Sequence, residues 1–294
     1  MSTIAKTVVA TGASSGLGFE AIKQLLSQSQ PYNFVLGARD TKATTDAYNG
    51  LKYDSNKHTV TILPLELTNM KTVKSFAQQT LDKLGPSPVE YLMLNAATGM
   101  SKKAAETGPH GSKWIEPYLV NHLSQHYLLH LLRPKLEQSK TRVVVVSSGA
   151  VRMVTDPGTL ENEMLAAKET EQGVYPATKF IQLLSAHWWH RQLQGICEVV
   201  AVSPGLIPNT GLARGSGMKI PDGLPDAKSV PEGAQSILAA FTRDDLPEDP
   251  EQIFLTSWGE WWPKETYGLT LDKSLQEKWS PSLESIEKDE GVIA

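Results

Sequence analysis

The sequence predicts a doubly wound α/β fold, a mostly parallel seven-stranded sheet with helices on both faces. Two observations carry the prediction. Short, continuous apolar runs rich in β-branched residues alternate with longer segments of helical period, and a glycine cluster directly follows the first run. Parallel neighbours need a crossover, which the intervening helices provide, and strands covered on both faces lose their polar alternation.

The first strand is "TVVAT" (7 to 11), followed by "FVLGA" (34 to 38), "TVTILPLEL" (59 to 67) and "VEYLMLNAA" (89 to 97). The series ends with "RVVVVSS" (142 to 148), "CEVVAVSPG" (197 to 205) and "QIFLTSW" (252 to 258). Between them, "FEAIKQLLSQ", "MKTVKSFAQQTLDKL", "WIEPYLVNHLSQHYLLHLL", "FIQLLSAHWWHRQL" and "GAQSILAAFT" space apolar residues three and four apart, as helices do. No repeat or low-complexity tract interrupts the order. The Gly, Pro and Ser-rich piece at 203 to 231 reads as a long functional loop.

The 294 residues, 40% of them hydrophobic, can bury one large core, and a single domain over 1 to 294 is expected. A balance of 28 basic and 32 acidic residues, net charge -4, argues against general attraction to nucleic acid or an anionic membrane. No uninterrupted apolar stretch is long enough to span a bilayer, and the N-terminus lacks the pattern of a signal peptide. Cys197 is the one cysteine, which excludes an internal disulfide and a cysteine-rich metal cage. A reducing, cytoplasmic setting and a small-molecule or protein partner are expected.

"TGASSGLG" sets Gly12, Gly16 and Gly18 between the first strand and a helix. Side-chain-free positions let a pyrophosphate approach the backbone, and helix N-terminal amides face its charge. This motif resembles the T-G-x-x-x-G-x-G cofactor loop of the short-chain dehydrogenases/reductases, and further motifs of that family follow in order. "LNAA" (94 to 97) looks like its N-A-G motif with Ala97 in place of glycine, and "VNHLS" (120 to 124) like its central-helix asparagine motif. "VVVVSSGA" (143 to 150) matches the strand-five serine, "YPATK" (175 to 179) the Y-x-x-x-K pair, and "SPG" (203 to 205) the P-G after strand six. The resemblance covers residues 4 to 258 and is strongest toward the retinol dehydrogenase and protochlorophyllide reductase-like members.

The resemblance implies a Rossmann-type domain binding a nicotinamide dinucleotide. It carries Gly12, Ser14, Ser15, Gly16, Leu17 and Gly18 over as the phosphate loop. Glu66 and Leu67 fall at the adenine, with glutamate where aspartate is common, and Asn95 and Ala96 fall beside the cofactor. Pro204, Gly205, Ile207 and Thr210 belong to the loop that meets the nicotinamide carboxamide. Arg39, in "VLGARD" (35 to 40), stands near where the family's arginine donates to the 2′-phosphate, so NADP(H) is favoured over NAD(H). Asp40 beside it reads as a helix N-cap or turn residue; the competing reading is a surface pair of Arg39 with Asp40.

The implied catalytic group is Asn121, Ser148, Tyr175 and Lys179, the last two also touching the cofactor. A phenol with a pKa near ~10 needs help to exchange a proton at neutral pH. Tyr175 and Lys179, four apart, share a helix face, so the ammonium is expected to favour tyrosinate, aided by an oxidised nicotinamide. Ser148, chosen over Ser147 from the family's usual position, would bond the substrate oxygen. Asn121 would bend the central helix and hold a water linking Lys179 to solvent.

The expected activity is NADPH-dependent reduction of a ketone or aldehyde, or the reverse alcohol oxidation. Alternatives are a non-redox cofactor-binding regulator and a cyclase on the same fold. Residues 149 to 174 are longer than compact relatives need and either line the substrate site or form a surface insertion. "SPGLIPNTGL" (203 to 212), with Asn209 where threonine is common, leads into "ARGSGMKIPDGLPD" (213 to 226), a lid or a flexible connection; the wider segment is 206 to 230.

Three helical histidines, His122, His126 and His130, lack a third ligand or an H-E-x-x-H pattern, so no metal site is expected. In the extension 259 to 294 and just before it, Trp258, Trp261, Trp262 and Tyr267 are expected to pack, or else to cover the site mouth or an interface. The charged end "ESIEKDEG" is expected to be solvated. Trp188 and Trp189 suit a family-like dimer and the lengthened 149 to 174 segment works against it, so the expectation is a monomer or a homodimer.

Overall fold

In the computed structural model, which describes residues 4–99, 107–166, 174–208, 212 and 227–293, all neighbouring strands of the main sheet are parallel. The strands are β1 (Lys6–Thr11), β2 (Tyr32–Ala38), β3 (Thr59–Pro64), β4 (Tyr91–Leu94), β5 (Arg142–Val146), β6 (Glu198–Val202) and β7 (Phe254–Leu255). Their order in the seven-stranded sheet is β3-β2-β1-β4-β5-β6-β7. The chain therefore winds outward from β1 in both directions. The strand order reverses between β1 and β4, where a sheet of this kind places its ligand crevice, and Thr11 stands in register with Leu94 there.

Alternate strand residues feed two cores. Val8, Ala10, Phe34, Leu36, Val144 and Val200 pack with helices α1 (Gly16–Leu26) and α2 (Thr41–Asn49) and with α8 (Val230–Thr242). Val9, Val35, Leu92, Val143, Val145 and Val199 face α3 (Met70–Leu84), α5 (Ser124–Ser139) and α7 (Tyr175–Gln192). This side-to-side division is the physical content of a doubly wound sheet.

Helix α2 escaped the periodicity reading because "TKATTDAYN" buries only Thr44 and Tyr48. Its start is fixed by Asp40, whose carboxylate accepts from the Ala43 amide at 2.8 Å. Such a cap stabilises a helix by about 1 kcal/mol. The helix expected over 114 to 132 is instead α4 (Glu116–Tyr118), a π-turn (Leu119–Leu123) and α5, which runs on to Ser139. At the π-turn the Gln125 side-chain amide donates to the Val120 carbonyl at 2.9 Å, a bond no hydropathy pattern encodes.

The C-terminal extension corrects another expectation. Residues in "ESIEKDEG" belong to α10 (Leu283–Asp289), which buries Ile286 and sends Glu287 to the Tyr127 hydroxyl at 2.7 Å and Lys74 at 2.8 Å. The preceding α9 (Lys273–Lys278) lies on α7, where Glu277 accepts from the Trp188 indole at 2.8 Å. The chain's own tail thus covers Trp188 and Trp189, 9% and 1% exposed. Of the other aromatics, Tyr267 is buried and Trp262 stacks on Phe254, whereas Trp258 remains 64% exposed.

The histidines join this tail to α5. His122 donates through Nε2 to the Trp279 carbonyl at 2.8 Å. The Trp189 indole can only donate, so His126 accepts it at Nδ1 and its proton sits on Nε2, which donates to the Pro281 carbonyl at 2.9 Å. These rings are engaged in packing the tail.

Part of the lengthened segment also has a structural use. Within residues 149 to 166, α6 (Leu160–Met164) buries Leu160 and Met164, and Met164 accepts from the Ile115 amide at 2.9 Å. Residues 167 to 173 of that segment, Asn209, Thr210 and the 213 to 226 stretch lie outside the described residues. No helix among the described residues is long and apolar enough to cross a membrane.

Candidate active site

The crevice begins at the glycine loop after β1. Gly12 has φ +66° and Gly16 φ +57°, left-handed conformations that favour glycine. A Cβ at Gly18 would run into the Gly12 carbonyl and the Asn95 side chain, whereas Gly16 has nothing within 4 Å of its Cβ position. Ser15, the N-cap of α1, makes no side-chain bond to the helix, and both Ser14 and Ser15 are exposed. A close-packed floor under Gly18 and open space beside Gly16 fit a pyrophosphate lying against the first turn of α1.

The loop is held from below by side chains outside its glycines and serines. Tyr48, 1% exposed on α2, donates its hydroxyl to the Ala13 carbonyl at 2.7 Å. Asn95 Nδ2 donates to the Gly12 carbonyl at 2.9 Å. Thr11 Oγ1 accepts from the Asn95 and Ala96 amides, each at 3.1 Å, and donates to Gln125 Oε1 at 3.2 Å. Gln125 returns to the Ala96 carbonyl at 2.9 Å. The ends of β1 and β4 are therefore locked together through one buried side chain of α5.

Along the crevice, Arg39 ends β2 on the surface, next to the capping Asp40. Glu66 turns Oε1 to the Thr68 amide at 3.1 Å, and Leu67 is buried after β3. Leu17 and Ile207 meet at Gly233 of α8, where a Cβ would strike both side chains. Pro204 is buried, and Gly205, at φ +94°, turns the chain after β6.

The four proposed catalytic residues come from β5, the π-turn and α7. Ser148 follows β5 and accepts from the Ala150 amide at 3.1 Å. Burial pushes Tyr175 up to about 12, while the neighbouring Ser148 hydroxyl pulls the other way. Desolvation of the phenolate is the larger of these two effects, so the chain by itself holds Tyr175 above its ordinary value. Lys179 is 1% exposed, brought down to about 7 by burial, and donates to the Val146 carbonyl at 2.8 Å and Gln182 Oε1 at 3.0 Å. Its Nζ lies 5.8 Å from the Tyr175 ring centroid.

Asn121 sits inside the π-turn, fully buried, but its side chain is spent elsewhere than on Lys179. Its Oδ1 accepts from the Thr98 amide at 2.8 Å, and its Nδ2 donates to the Thr98 carbonyl at 3.0 Å and Thr178 Oγ1 at 2.9 Å. Thr178 in turn donates to the Tyr175 carbonyl at 2.8 Å. The residue links the loop after β4 to the first turn of α7. Tyr48, Gln125 and Gln182 were missed by sequence reasoning, since each acts through a tertiary contact with no local motif. Thr11 and Thr178 lie inside quoted motifs without their tertiary partners being readable there.

Strands in this order, a glycine cradle where the order reverses, and Ser148, Tyr175 and Lys179 gathered beyond β5 at the start of α7 make up the candidate site. The chain belongs to the short-chain dehydrogenase family, oxidoreductases that use a nicotinamide cofactor: the family's model, short chain dehydrogenase, matches residues 6–160. A short-chain dehydrogenase/reductase of Pestalotiopsis microspora is 57% identical over 97% of this chain and 99% of that one. Human retinol dehydrogenase 12 is 28% identical over 82% of this chain and 74% of its own. Among solved structures, NADPH-bound carbonyl reductase from chicken fatty liver matches the fold with TM-score 0.65 at 20% identity, over 89% of this chain and 95% of the other.

Proposed function

We propose that this protein is an NADPH-dependent reductase of a ketone or aldehyde, working in reverse as an alcohol dehydrogenase, with residues 1 to 294 forming one domain. The observation that carries the reading is Tyr175, flanked by Ser148 and the buried Lys179, at the same end of the sheet as the glycine cradle. When bound, the reduced nicotinamide supplies a hydride to the carbonyl carbon.

Tyr175 gives its proton to the carbonyl oxygen as that oxygen gains charge. Its raised pKa keeps it protonated at neutral pH, the form this step needs. Ser148 donates to the same oxygen and fixes its distance from the phenol. The Lys179 ammonium offsets the charge left on Tyr175 after transfer, in a site where desolvation strengthens each such interaction. Asn121 sets the angle between the loop after β4 and α7 by holding Thr98 and Thr178.

NADPH is favoured over NADH because Arg39 is exposed just after β2 while Asp40 serves as the N-cap of α2. The NADPH bound to the chicken enzyme agrees with this choice. The same reading places the activity in the cytoplasm, on a small carbonyl compound. Following reduced-cofactor absorbance with a panel of ketones and aldehydes, with NADPH and NADH in parallel, tests it. NADPH consumption that depends on the carbonyl is expected; consumption with NADH alone contradicts the cofactor assignment.

A further inference from the structure

A lysine ammonium has three protons to donate. In Lys179 one goes to the Val146 carbonyl at 2.8 Å and a second to Gln182 Oε1 at 3.0 Å. The first partner is backbone at the end of β5, supplied by the sheet whatever the side chain there. The second is a side chain one turn along α7, so it depends on the residue at 182.

Gln182 is an odd choice for that position on packing grounds. It is 4% exposed, and its Nε2 has no partner among the described residues. A buried amide with unpaired donors is disfavoured against an apolar side chain of the same shape. Its side-chain hydrogen bond is the one from Lys179, so polarity at 182 serves the lysine and not the core.

We propose that Gln182 is a positioning residue, whose side-chain carbonyl together with Val146 fixes the Lys179 ammonium and leaves its third proton for the reacting end of the site. This rests on the reading of Lys179 as a member of the catalytic group. Without Gln182 the long, rotamer-rich lysine loses one of its two anchors, and its charged form loses an acceptor in a desolvated place.

The electrostatic sign is fixed by the surroundings. Burial alone shifts Lys179, with no carboxylate, histidine or second cation acting on it from α7, β5, β6 or the π-turn among the described residues. Tyr175 on α7 is the titratable group facing it, its ring centroid 5.8 Å away. An acceptor favours the ammonium, so removing it lowers the pH at which Lys179 loses its proton, and a carboxylate in its place raises it.

The test compares Gln182→Leu and Gln182→Glu with wild type by three readouts. Carbon-13 NMR of labelled lysine in the free protein follows the resonance that disappears in Lys179→Ala, kcat/KM for carbonyl reduction is profiled against pH, and thermal unfolding reports stability. Gln182→Leu is expected to unfold no lower than wild type while the Lys179 titration and the basic limb of kcat/KM both move down by about one pH unit, a tenfold change in charged fraction. Gln182→Glu moves both up. Unmoved titrations in both variants, or a Gln182→Leu protein that loses activity only in step with its melting temperature, overturns the proposal while dependence on Lys179 stands. Equal turnover by wild type and Lys179→Ala sinks the catalytic reading itself, and the proposal with it.

Discussion

Asn121 holds both backbone polar groups of Thr98, accepting from its amide at 2.8 Å and donating to its carbonyl at 3.0 Å. One side chain thereby stands in for two main-chain hydrogen bonds between a π-turn and the loop after β4. Asn121→Ala leaves those groups and Thr178 without their partner, which costs about 2 kcal/mol of stability. Urea denaturation measures this; a loss below about 0.5 kcal/mol, the level of an unremarkable surface change, contradicts the clamp.

Gly16 and Gly18, two of the three glycines of the cradle, should respond differently to alanine. At Gly18 the added methyl meets the Gly12 carbonyl and Asn95, so Gly18→Ala is expected to weaken NADPH binding more than tenfold. Gly16→Ala has open space and costs about 1 kcal/mol through its positive φ. Fluorescence titration with NADPH ranks them, and equal affinities would count against Gly18 as the floor of the site.

Arg39→Ala tests the cofactor assignment at a single side chain. A charge-assisted bond to the 2′-phosphate contributes about 1.5–3 kcal/mol, so KM for NADPH should rise about 10- to 100-fold. KM for NADH should stay as it was. A parallel rise for both cofactors means that Arg39 does not read the phosphate.

The histidine contacts make the tail acid-sensitive. Burial lowers His122 to about 4 and His187 to about 3, both below the ordinary value of 6.5. The unfolded chain then binds more protons than the folded one as pH falls below 6.5, and stability drops by about 1.4 kcal/mol per pH unit per histidine. For His122 the loss is complete once pH passes below its folded pKa of about 4. His122→Gln keeps a donor for the Trp279 carbonyl without a titrating group. Its unfolding free energy should fall less steeply than wild type between pH 6.5 and 4; identical slopes contradict the role given to His122.

Much of this was legible in the sequence because parallel strands and the glycine loop are written in local pattern. The parallel sheet is read from the alternation of strands and helices, and the candidates Gly12, Ser148, Tyr175 and Lys179 are read from short motifs. What was hidden is tertiary. Helix α2 has too few apolar residues for its period to register, yet Tyr48 from it supports the glycine loop. The charged tail forms α10 because Ile286 and Glu287 find partners on distant elements, and no window of sequence around 286 contains Tyr127 or Lys74. The burial that raises Tyr175 is hidden in the same way: the i, i+4 spacing displays the lysine but not the desolvation of the phenol.

The central claim is proton transfer by Tyr175. Its most direct test is NADPH-dependent carbonyl reduction by wild type and Tyr175→Phe, with NADPH affinity measured on both. The expected result is a loss of about 10²- to 10⁴-fold in kcat with unchanged cofactor affinity. A Tyr175→Phe protein that turns over like wild type contradicts the account.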